Sequence, residues 1–310
     1  MKSGLVAIIG RPNAGKSTLL NRLIGEKIAI VSDKPQTTRT RILGAKNYTD
    51  AQIIFVDTPG IHRPLHRMNV RMVDAAVDTL KEVDLAILVH DASSRLGRGD
   101  EYVSALLTGT SIPVVLALNK IDLIAKPKLL PLIDQMRRWH DFAEIVPISA
   151  ATGEGLATLE SSLLARLPEG EPLYPADFLT DQPERTLAAE AVREKVLQHT
   201  RAELPFSTAV VVDRFEEPAT PGGLMRIYCT ILVDQESQKP IVIGRAGAMI
   251  KQIGTEARQD LERFFQAKVF LDLRVKVRTG WRDDDRVLDE LGVDRRNTEH
   301  GRRKKENGPR

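Results

Sequence analysis

The stretch "GRPNAGKS" at residues 10–17 decides the fold of the first half of this chain. It has the spacing G-x-x-x-x-G-K-[ST], and it lies between the apolar run "LVAIIG" and a helical pattern. Glycines at these positions let backbone N–H groups turn inward around phosphate oxygens, and the N-terminus of the following helix adds positive potential. We expect Lys16 to reach the β- and γ-phosphates of a nucleotide and the hydroxyl of Ser17 to bind Mg²⁺.

Short apolar runs alternate with helical patterns through this half. The strand candidates are "LVAIIG", "AQIIFVD", "DLAILVHD", "IPVVLALN" and "AEIVPIS". Most of these runs are almost continuously apolar, as strands buried on both faces are. Helices are expected at 16–24, 67–81, 100–108, 128–140 and 155–166. The alternation predicts an α/β fold over residues 1–170, a P-loop domain whose mostly parallel sheet is flanked by helices.

Three further segments follow later strands. In "VDTPG" (56–60), Asp57 can hold Mg²⁺ through water and the N–H of Gly60 can meet a γ-phosphate. In "NKID" (119–122), the carboxylate of Asp122 can accept hydrogen bonds from the N1–H and 2-amino groups of guanine, a donor pair that adenine lacks. "SAA" (149–151) can offer a backbone N–H to the guanine carbonyl oxygen. Strand ends of a doubly wound sheet are where such ligands bind, so these segments predict a guanine-nucleotide site.

With these four segments in this order, the first half resembles a translation-factor-type GTPase of the Era/TrmE group. The resemblance implies binding of GTP and GDP with Mg²⁺, and slow hydrolysis of GTP to GDP and phosphate. The expected nucleotide contacts are Gly10, Arg11, Pro12, Asn13, Ala14, Gly15, Lys16, Ser17, Thr18, Asp57, Thr58, Pro59, Gly60, Asn119, Lys120, Asp122, Ser149, Ala150 and Ala151.

The same resemblance extends to metal binding and catalysis. The family's switch I threonine should lie in "QTTRT" (36–40); Thr38 is preferred as a Mg²⁺ ligand with Ser17 and Asp57, and Thr37 is the competing choice. Position 61 is Ile where many GTPases carry a water-orienting Gln, so hydrolysis should be slow or depend on another group. An Asn at the position of Asn13 helps related GTPases bind K⁺ beside the phosphates. The expected catalytic residues are Asn13, Lys16, Thr38 and Gly60.

The second half has a different pattern. The proline-rich stretch around 171–183 reads as a linker, and residues 184–293 give a helix, two strands, a glycine loop with a helix, and a strand of clear period two. This order predicts a compact α+β domain. Trp281, Val287, Leu288 and Leu291 are expected to form a terminal helix packed on it, and Cys229 to lie in its core.

The glycine loop of this domain, "IGRAGAMI" (243–250), lacks the Lys–Ser pair of a nucleotide loop. It matches I-G-x-x-G-x-x-I, the centre of a KH domain, whose GxxG clamps the backbone of a few single-stranded nucleotides. The surrounding order of elements resembles the type II KH arrangement. The expected RNA contacts are Ile243, Gly244, Arg245, Ala246, Gly247, Ile250 and Lys251. On the last strand, Arg274, Lys276 and Arg278 are expected to form a solvated sheet face rather than to read bases.

A GTPase domain followed by a type II KH domain is the architecture of the Era family. The resemblance implies binding to 16S rRNA near its 3′ end during assembly and maturation of the small (30S) ribosomal subunit. It also implies a monomer in the cytoplasm, with peripheral contact with the inner face of the cell membrane as a further option. Two alternatives stay open: a KH-type RNA-binding scaffold with nucleotide as a structural ligand, and a tRNA-modification-type GTPase.

Composition and charge are those of a globular chain with one unusual end. The net charge is +3, and the last segment, 294–310, has seven Arg or Lys against three acidic residues and should be a basic disordered tail. Either a solubilising terminus or a nucleic-acid arm fits it. The single cysteine excludes an internal disulfide, and the first apolar run is too short for a signal core or a membrane span.

Overall fold

The computed structural model describes residues 1–34, 37–61, 66–200, 204–218, 220 and 223–293. The predicted basic tail at 294–310 therefore lies outside the described residues. Within them the chain forms two sheets, one in each half. None of the helices in these ranges is long and apolar enough to cross a membrane.

The first sheet has the order β2-β3-β1-β4-β5-β6. Its strands are β1 Lys2–Gly10, β2 Ile42–Asn47, β3 Ala51–Asp57, β4 Leu85–Asp91, β5 Val114–Asn119 and β6 Glu144–Pro147. All neighbours pair in parallel except β2, which is antiparallel to β3. The five predicted strands are confirmed. The sequence analysis missed β2, because "ILGAKN" is short, contains a glycine and ends in polar residues, as edge strands often do.

Helices cover both faces of this sheet. They are α1 Lys16–Ile24, α2 Arg67–Leu80, α3 Arg98–Thr108, α4 Leu129–Met136 and α5 Leu156–Arg166. Because side chains alternate along a strand, neighbouring residues serve opposite cores: Ile8 packs with α1 and α5, while Ile9 packs with α2 and α3. The α/β fold class is confirmed. The helix predicted at 128–140 is shorter than expected and ends at Met136.

The segment predicted as a linker, 171–183, is ordered against the first domain. The amide of Ala45 donates to the carbonyl of Leu179 at 3.0 Å, which extends the sheet beyond β2. The side-chain oxygen of Gln52 accepts from the amides of Leu173 and Tyr174 at 2.7 and 3.0 Å. The segment that leads to the second domain is therefore held against the first sheet by hydrogen bonds.

The second half forms a sheet of order β7-β8-β9 with its two long helices on one face. Its elements are α6 Glu184–His199, α7 Leu204–Ser207, β7 Thr208–Glu216, β8 Leu224–Val233, α8 Lys239–Ile243, α9 Ala248–Phe265, β9 Lys268–Val277 and α10 Asp285–Glu290. β7 is antiparallel to β8, and β9 is parallel to it. The predicted α+β order is confirmed, and Cys229 lies in the core. The short helix α8, directly before the glycine loop, was not predicted.

The terminal helix lies between the two domains, not on the second domain alone as expected. Trp281 is fully buried in a cluster that contains Met68 and Met72 of α2. Beside it, the guanidinium of Arg71 donates to Asp285 and Asp289, both at 2.6 Å. The segment after β9 therefore joins α2 of the first domain to the second sheet.

Candidate nucleotide and RNA sites

The nucleotide loop, residues 10–17, connects β1 to α1. A Cβ atom on Gly15 would lie 2.2 Å from the Asn119 side-chain nitrogen, and the φ angle of Gly15 is +95°, so a larger residue does not fit there. The Nζ atom of Lys16 lies inside the loop, 3.3 Å from the carbonyl oxygen of Gly10 and 3.1 Å from that of Arg11. Burial lowers the pKa of Lys16, although the carboxylate of Asp57 opposes this shift. A buried ammonium group held by carbonyls is placed to bind phosphate oxygens.

A pocket opens between this loop and the segment at 30–38. The predicted contacts that line it are Pro12, Asn13, Gly15, Lys16, Ser17, Thr18, Thr38 and Gly60. Arg11 and Ala14 are in the same loop but do not line the pocket. Arg11 instead donates to Asp100 at 2.8 Å, which attaches the loop to the start of α3. Of the loop residues, those at positions 12, 13 and 15–17 therefore line the pocket.

Three oxygen-bearing side chains meet at the floor of the site. The Ser17 hydroxyl lies 2.9 Å from an Asp57 carboxylate oxygen and 2.8 Å from the Thr38 hydroxyl, which in turn lies 3.2 Å from Asp57. The other Asp57 oxygen is buried and has no hydrogen-bond partner among the described residues. Burial raises the pKa of Asp57 to about 6, although Lys16 opposes the shift. Two hydroxyls and a carboxylate with an unpaired oxygen fit the oxygen ligands that Mg²⁺ takes.

The two threonines of "QTTRT" point in different directions. Thr37 turns its hydroxyl to the carbonyl of Lys34, at 2.6 Å, away from Ser17 and Asp57. Thr38 is 7% exposed and its hydroxyl completes the three-residue group. The geometry therefore favours Thr38 over Thr37 as a ligand.

The segment after β3 lies against the nucleotide loop. The Thr58 hydroxyl donates to the carbonyl of Ile8 at 3.0 Å, and buried Pro59 leads into Gly60. A Cβ atom on Gly60 would lie 2.9 Å from the Pro12 Cα, so only glycine allows this close approach. Ile61 is 1% exposed and packs in the core under the sheet. The side chain at position 61 is therefore buried in the core and cannot orient a water molecule in the pocket.

The segments predicted to bind a base converge beside the loop. The Asn119 side chain donates to the carbonyl of Ala14 at 2.8 Å and accepts from the amide of Ala150 at 2.9 Å. It therefore joins the nucleotide loop to the "SAA" loop, where Ser149 is fully buried. Asp122 follows in an exposed turn, where its carboxylate can meet a ligand.

Two positive-φ residues, Asn13 and Lys120, complete this region. The Lys120 ammonium lies 2.8 Å from the Asn13 carbonyl oxygen and 2.7 Å from an Asp91 carboxylate oxygen. The side-chain amide of Asn13 donates to the carbonyl of Asp33 at 2.6 Å, so it connects the nucleotide loop to the segment before Thr38.

Arg22 on α1 also contacts the site, and sequence reasoning missed it. Its guanidinium donates to the carbonyls of Ala150 and Ala151 in the "SAA" loop. Its position on α1 gives no sequence signal for this role.

Sequence reasoning also missed a group of charged residues on α6 that reach the nucleotide site. Arg193 is 1% exposed and donates to the carbonyl of Thr37. Glu194, also 1% exposed, accepts from the amide of Val31 at 2.8 Å and from Lys27 at 2.5 Å. Adjacent charged residues in a helix usually signal a solvated face, so nothing in the sequence indicated that these two are buried between domains.

Arg39, directly after Thr38, also bridges the domains. Its guanidinium donates to the carbonyl of Thr208 at 2.9 Å and lies 5.3 Å from the ring centre of Trp281. Burial and the neighbouring charge of Arg193 hold the pKa of Arg39 well below its usual value. The chain around Thr38 is thus anchored to the second domain on both sides.

The second glycine loop connects α8 to α9. Gly244 and Gly247 have φ angles of +75° and +78°, and a Cβ atom on Gly244 would lie 2.5 Å from the Met249 Cβ. Ala246, between them, also has a positive φ of 49° and is exposed, as is Arg245. Half-buried Ile243 ends α8, so the loop projects from the domain with the N-terminus of α9 behind it. Such a loop can approach a phosphate backbone closely.

A groove continues from this loop between α9 and β9. Ile250, Lys251, Gly254 and Arg258 line its helix side, and Leu271 and Leu273 line its strand side. β9 is the last strand of its sheet, so its outer edge borders the groove. An apolar floor with a cationic rim is what unpaired bases and their phosphates require.

Comparison with known proteins finds both domains. The family model of a 50S ribosome-binding GTPase matches residues 5–120, and that of the KH domain matches residues 203–282. GTPase Era of Geobacter metallireducens is 50% identical over 291 residues, which cover 94% of this chain and 97% of that protein. GTPase Era of Syntrophus aciditrophicus is 51% identical over 291 residues, covering 94% and 95% of the two chains.

Two solved structures are similar over the same length. A single-substitution variant of Aquifex aeolicus Era bound to GDP·AlF4⁻ is 44% identical, with a TM-score of 0.90 over 94% of this chain and 99% of that chain. Era in complex with MgGDPNP and nucleotides 1506–1542 of 16S rRNA is 44% identical, with a TM-score of 0.91 over the same shares. With both domains matched across nearly the whole length, the chain belongs to the Era family of GTPases.

Proposed function

We propose that this GTPase uses its nucleotide state to control binding of the single-stranded 3′ end of 16S rRNA during assembly and maturation of the small (30S) ribosomal subunit. The observation that carries this proposal is the combination, in one chain, of the nucleotide pocket and the groove beside Gly244 and Gly247. A relative with 44% identity forms a complex with MgGDPNP and 16S rRNA nucleotides.

The residues of the pocket take separate roles in GTP binding. Lys16 and the backbone amides of its loop hold the β- and γ-phosphates. Ser17, Thr38 and Asp57 would hold Mg²⁺, which supplies charge neutralisation at the phosphates when bound. The Gly60 amide meets the γ-phosphate.

Selection for guanine falls to the segments beside the pocket. Asp122 accepts hydrogen bonds from the guanine N1–H and 2-amino groups. Adenine lacks these two donors, so its binding would leave the Asp122 carboxylate without hydrogen-bond partners and is disfavoured. Asn119 bonds to Ala14 and to Ala150, and so it holds the base-binding "SAA" loop at a fixed position relative to the phosphate-binding loop. The "SAA" loop offers a backbone N–H to the guanine carbonyl oxygen.

Hydrolysis is slow without a further group, because Ile61 is buried in the core and supplies no side chain to orient water. Asn13, next to the phosphates and to Asp33, is suited to help hold K⁺, which would add positive charge there. Comparing GTP turnover in K⁺ with turnover in Na⁺ tests this role, and equal rates would count against it.

The nucleotide state reaches the KH domain through the segment 31–39. Loss of the γ-phosphate removes contacts to Thr38 and Gly60, and Thr38 lies between Thr37 and Arg39, which are bonded to the KH domain. If GTP favours this domain placement, affinities for GTP and for RNA must be linked reciprocally. Equal RNA affinity with a GTP analogue and with GDP would contradict this linkage.

The deciding experiment is steady-state GTP hydrolysis in K⁺ buffer, with and without a single-stranded RNA matching the 3′ end of 16S rRNA. A scrambled RNA and the Gly247→Asp variant are the controls. Specific stimulation that is lost in the variant supports the proposal. Tight RNA binding without any effect on turnover would favour a scaffold in which nucleotide is only structural.

The same proposal includes a monomer in the cytoplasm, where 30S subunits assemble. The basic tail at 294–310 offers a route to peripheral contact with an anionic membrane surface. Sedimentation with anionic vesicles, compared with a chain that ends at residue 293, tests that contact. Binding that does not depend on the tail would contradict this route.

A further inference from the structure

The sheet of the KH domain has an inner face, packed on α6 and α9, and an outer face turned away from them. Side chains alternate along a strand, so even-numbered residues of β8 and β9 lie on the outer face. There the register pairs Arg226 with Phe270 and Tyr228 with Asp272, and Arg214 of β7 pairs with Tyr228. Three strands therefore place aromatic and basic side chains next to one another.

Only one end of this outer face is covered. Ala209 and Leu232 pack with Trp281 in the cluster that joins the two domains. At the other end Phe270 is 45% exposed and Leu224 is 42% exposed. The outer face therefore has one end at the interface with the GTPase domain and an open end away from it.

The exposed aromatic residue is part of a group. The rings of Tyr228 and Phe270 have centroids 5.8 Å apart at an interplanar angle of 59°, and the Arg214 guanidinium lies 5.8 Å from the Tyr228 centroid. A lone exposed apolar residue is ordinary on a protein surface, whereas two adjacent rings flanked by arginines form a platform on which a planar group can stack.

Cationic groups without partners surround this platform. The acidic groups on the face are engaged: Glu216 with Arg214, Asp272 with Arg274, and Asp213 with the Thr230 hydroxyl. At the open end, no ion-pair partner is found for Arg226 or Lys268 in the part of the chain that the structure describes. These two side chains remain available for phosphate groups.

We propose that the open end of the outer face is a second RNA-binding surface, separate from the groove beside the GxxG loop. An unpaired base stacks on Phe270 beside the Arg226 guanidinium, and Lys268, two residues before Phe270 on the same face of β9, meets an adjacent phosphate. Sheet faces with exposed aromatic residues bind single-stranded RNA in this way. The inference rests on the proposed RNA-binding function and extends it to a longer stretch of the same RNA.

RNA fits this surface better than a protein partner does. Arg226 lies between Leu224 and Tyr228 on the outer face of β8, so a cationic group interrupts the apolar side chains of that strand, whereas surfaces that protein partners bury are mainly apolar. Free guanidinium and ammonium groups beside aromatic rings satisfy a phosphate backbone and bases together. The sequence suggested a solvated face, because the register that brings Phe270 next to Arg226 is not visible in either strand alone.

The test measures the affinity of the full-length protein, loaded with a non-hydrolysable GTP analogue, for two RNAs. The long RNA comprises nucleotides 1506–1542 of 16S rRNA. The short RNA is a single-stranded 3′-end piece of about four nucleotides, the length that one GxxG loop clamps. Phe270→Ala and Arg226→Ala should each weaken binding of the long RNA about tenfold and leave the short RNA unaffected. Phe270→Trp, which keeps a stacking surface, should retain the wild-type affinity.

Controls separate this surface from the groove. Arg138→Ala removes an exposed arginine from the GTPase domain and should leave both affinities unchanged. In the Gly247→Asp background the short RNA is lost, and the remaining affinity for the long RNA should fall further with Phe270→Ala. Thermal melting of each variant checks that the fold is retained.

Three results would decide against the inference. Unchanged affinity for the long RNA in both Phe270→Ala and Arg226→Ala overturns it and leaves the groove and the proposed function standing. Equal losses for the long and short RNAs also overturn it, because Phe270 would then act through the fold of the groove. If the wild-type protein binds neither RNA, the proposed function fails as well, and the two failures are thereby distinguished.

Discussion

Arg193, on the first helix of the KH domain, donates a hydrogen bond to the backbone carbonyl of Thr37, 156 residues earlier in the chain. Thr37 directly precedes Thr38, whose hydroxyl lies 2.8 Å from that of Ser17. The next residue on the helix, Glu194, accepts from the amide of Val31 at 2.8 Å. The position of the KH domain and the conformation of the segment that carries Thr38 therefore depend on each other.

Removing the hydrogen bond from Arg193 to the Thr37 carbonyl should impair GTP hydrolysis more than nucleotide binding. We expect Arg193→Ala to lower kcat for GTP about tenfold, because a hydrogen bond from a charged group is worth roughly 1.5–3 kcal/mol and here it orders the chain next to Thr38. GDP affinity should change little. Stopped-flow nucleotide binding and single-turnover hydrolysis measure the two effects.

The matched control for Arg193 is Arg185→Ala on the same helix. Arg185 is exposed and, among the described residues, its one hydrogen bond goes to the carbonyl of Val212 in its own domain, at 2.7 Å, so its loss should leave hydrolysis unchanged. Equal effects of the two substitutions would mean that the helix is generally sensitive to arginine loss, and the specific contact would then have no special role.

The two threonines offer a comparison within the site. Thr38→Ala should lower GTP turnover roughly 10- to 100-fold and raise the Mg²⁺ concentration needed, because it removes one of the two hydroxyls beside the Asp57 carboxylate. Thr37→Ala removes a hydroxyl whose bond, within the part of the chain that the structure describes, goes to the carbonyl of Lys34, and it should have a much smaller effect. Turnover measured across a Mg²⁺ titration checks both. A larger effect of Thr37→Ala would mean that Thr37, and not Thr38, is the ligand.

Glutamine at position 61 should not restore fast hydrolysis. Ile61 is buried in the core, so Ile61→Gln places an amide there and should lower the free energy of unfolding by about 1–3 kcal/mol. GTP turnover should not rise, since the side chain points away from the pocket. Chemical denaturation and turnover assays test this, with Ile61→Val as the apolar control. A faster Ile61→Gln enzyme would show that this segment rearranges to bring position 61 into the site.

Asp260 pairs with Lys27 of the GTPase domain and with Lys195 of its own domain, and its carboxylate should not titrate near neutral pH. Burial by itself would raise the pKa of Asp260, but its hydrogen bond to Lys195 and its contacts with Lys27 outweigh burial, and the net pKa is lowered below 3.8. The folded pKa lies below the unfolded one, so its stabilisation is present above the unfolded value and is lost as pH falls through the folded value.

Denaturation of the wild type and of Asp260→Asn at several pH values measures this contribution. The difference in stability should be constant between about pH 5 and 8 and should shrink only in stronger acid. A difference that changes between about pH 6 and 8 would assign the titration to another group.

The sequence alone determined the elements whose signal is local. The five buried strands follow from continuous apolar runs, and the nucleotide and GxxG loops follow from glycine spacing next to a helix start. It failed for β2, because a glycine and polar residues interrupt the apolar run, and for α8, because a single helical turn has too few residues for a periodic pattern. The segment 171–183 was read as a linker, although its backbone pairs with β2.

Only the tertiary structure decided which distant residues meet. It joined Ser17, Thr38 and Asp57, separated the hydroxyls of Thr37 and Thr38, and buried Arg193 and Glu194 between the domains. Glycine spacing and hydrophobic periodicity indicate backbone conformation and which face of a helix or strand is buried, because residues close in the sequence determine both. Contacts between domains depend on how two finished surfaces pack, and no periodicity within either segment records that packing.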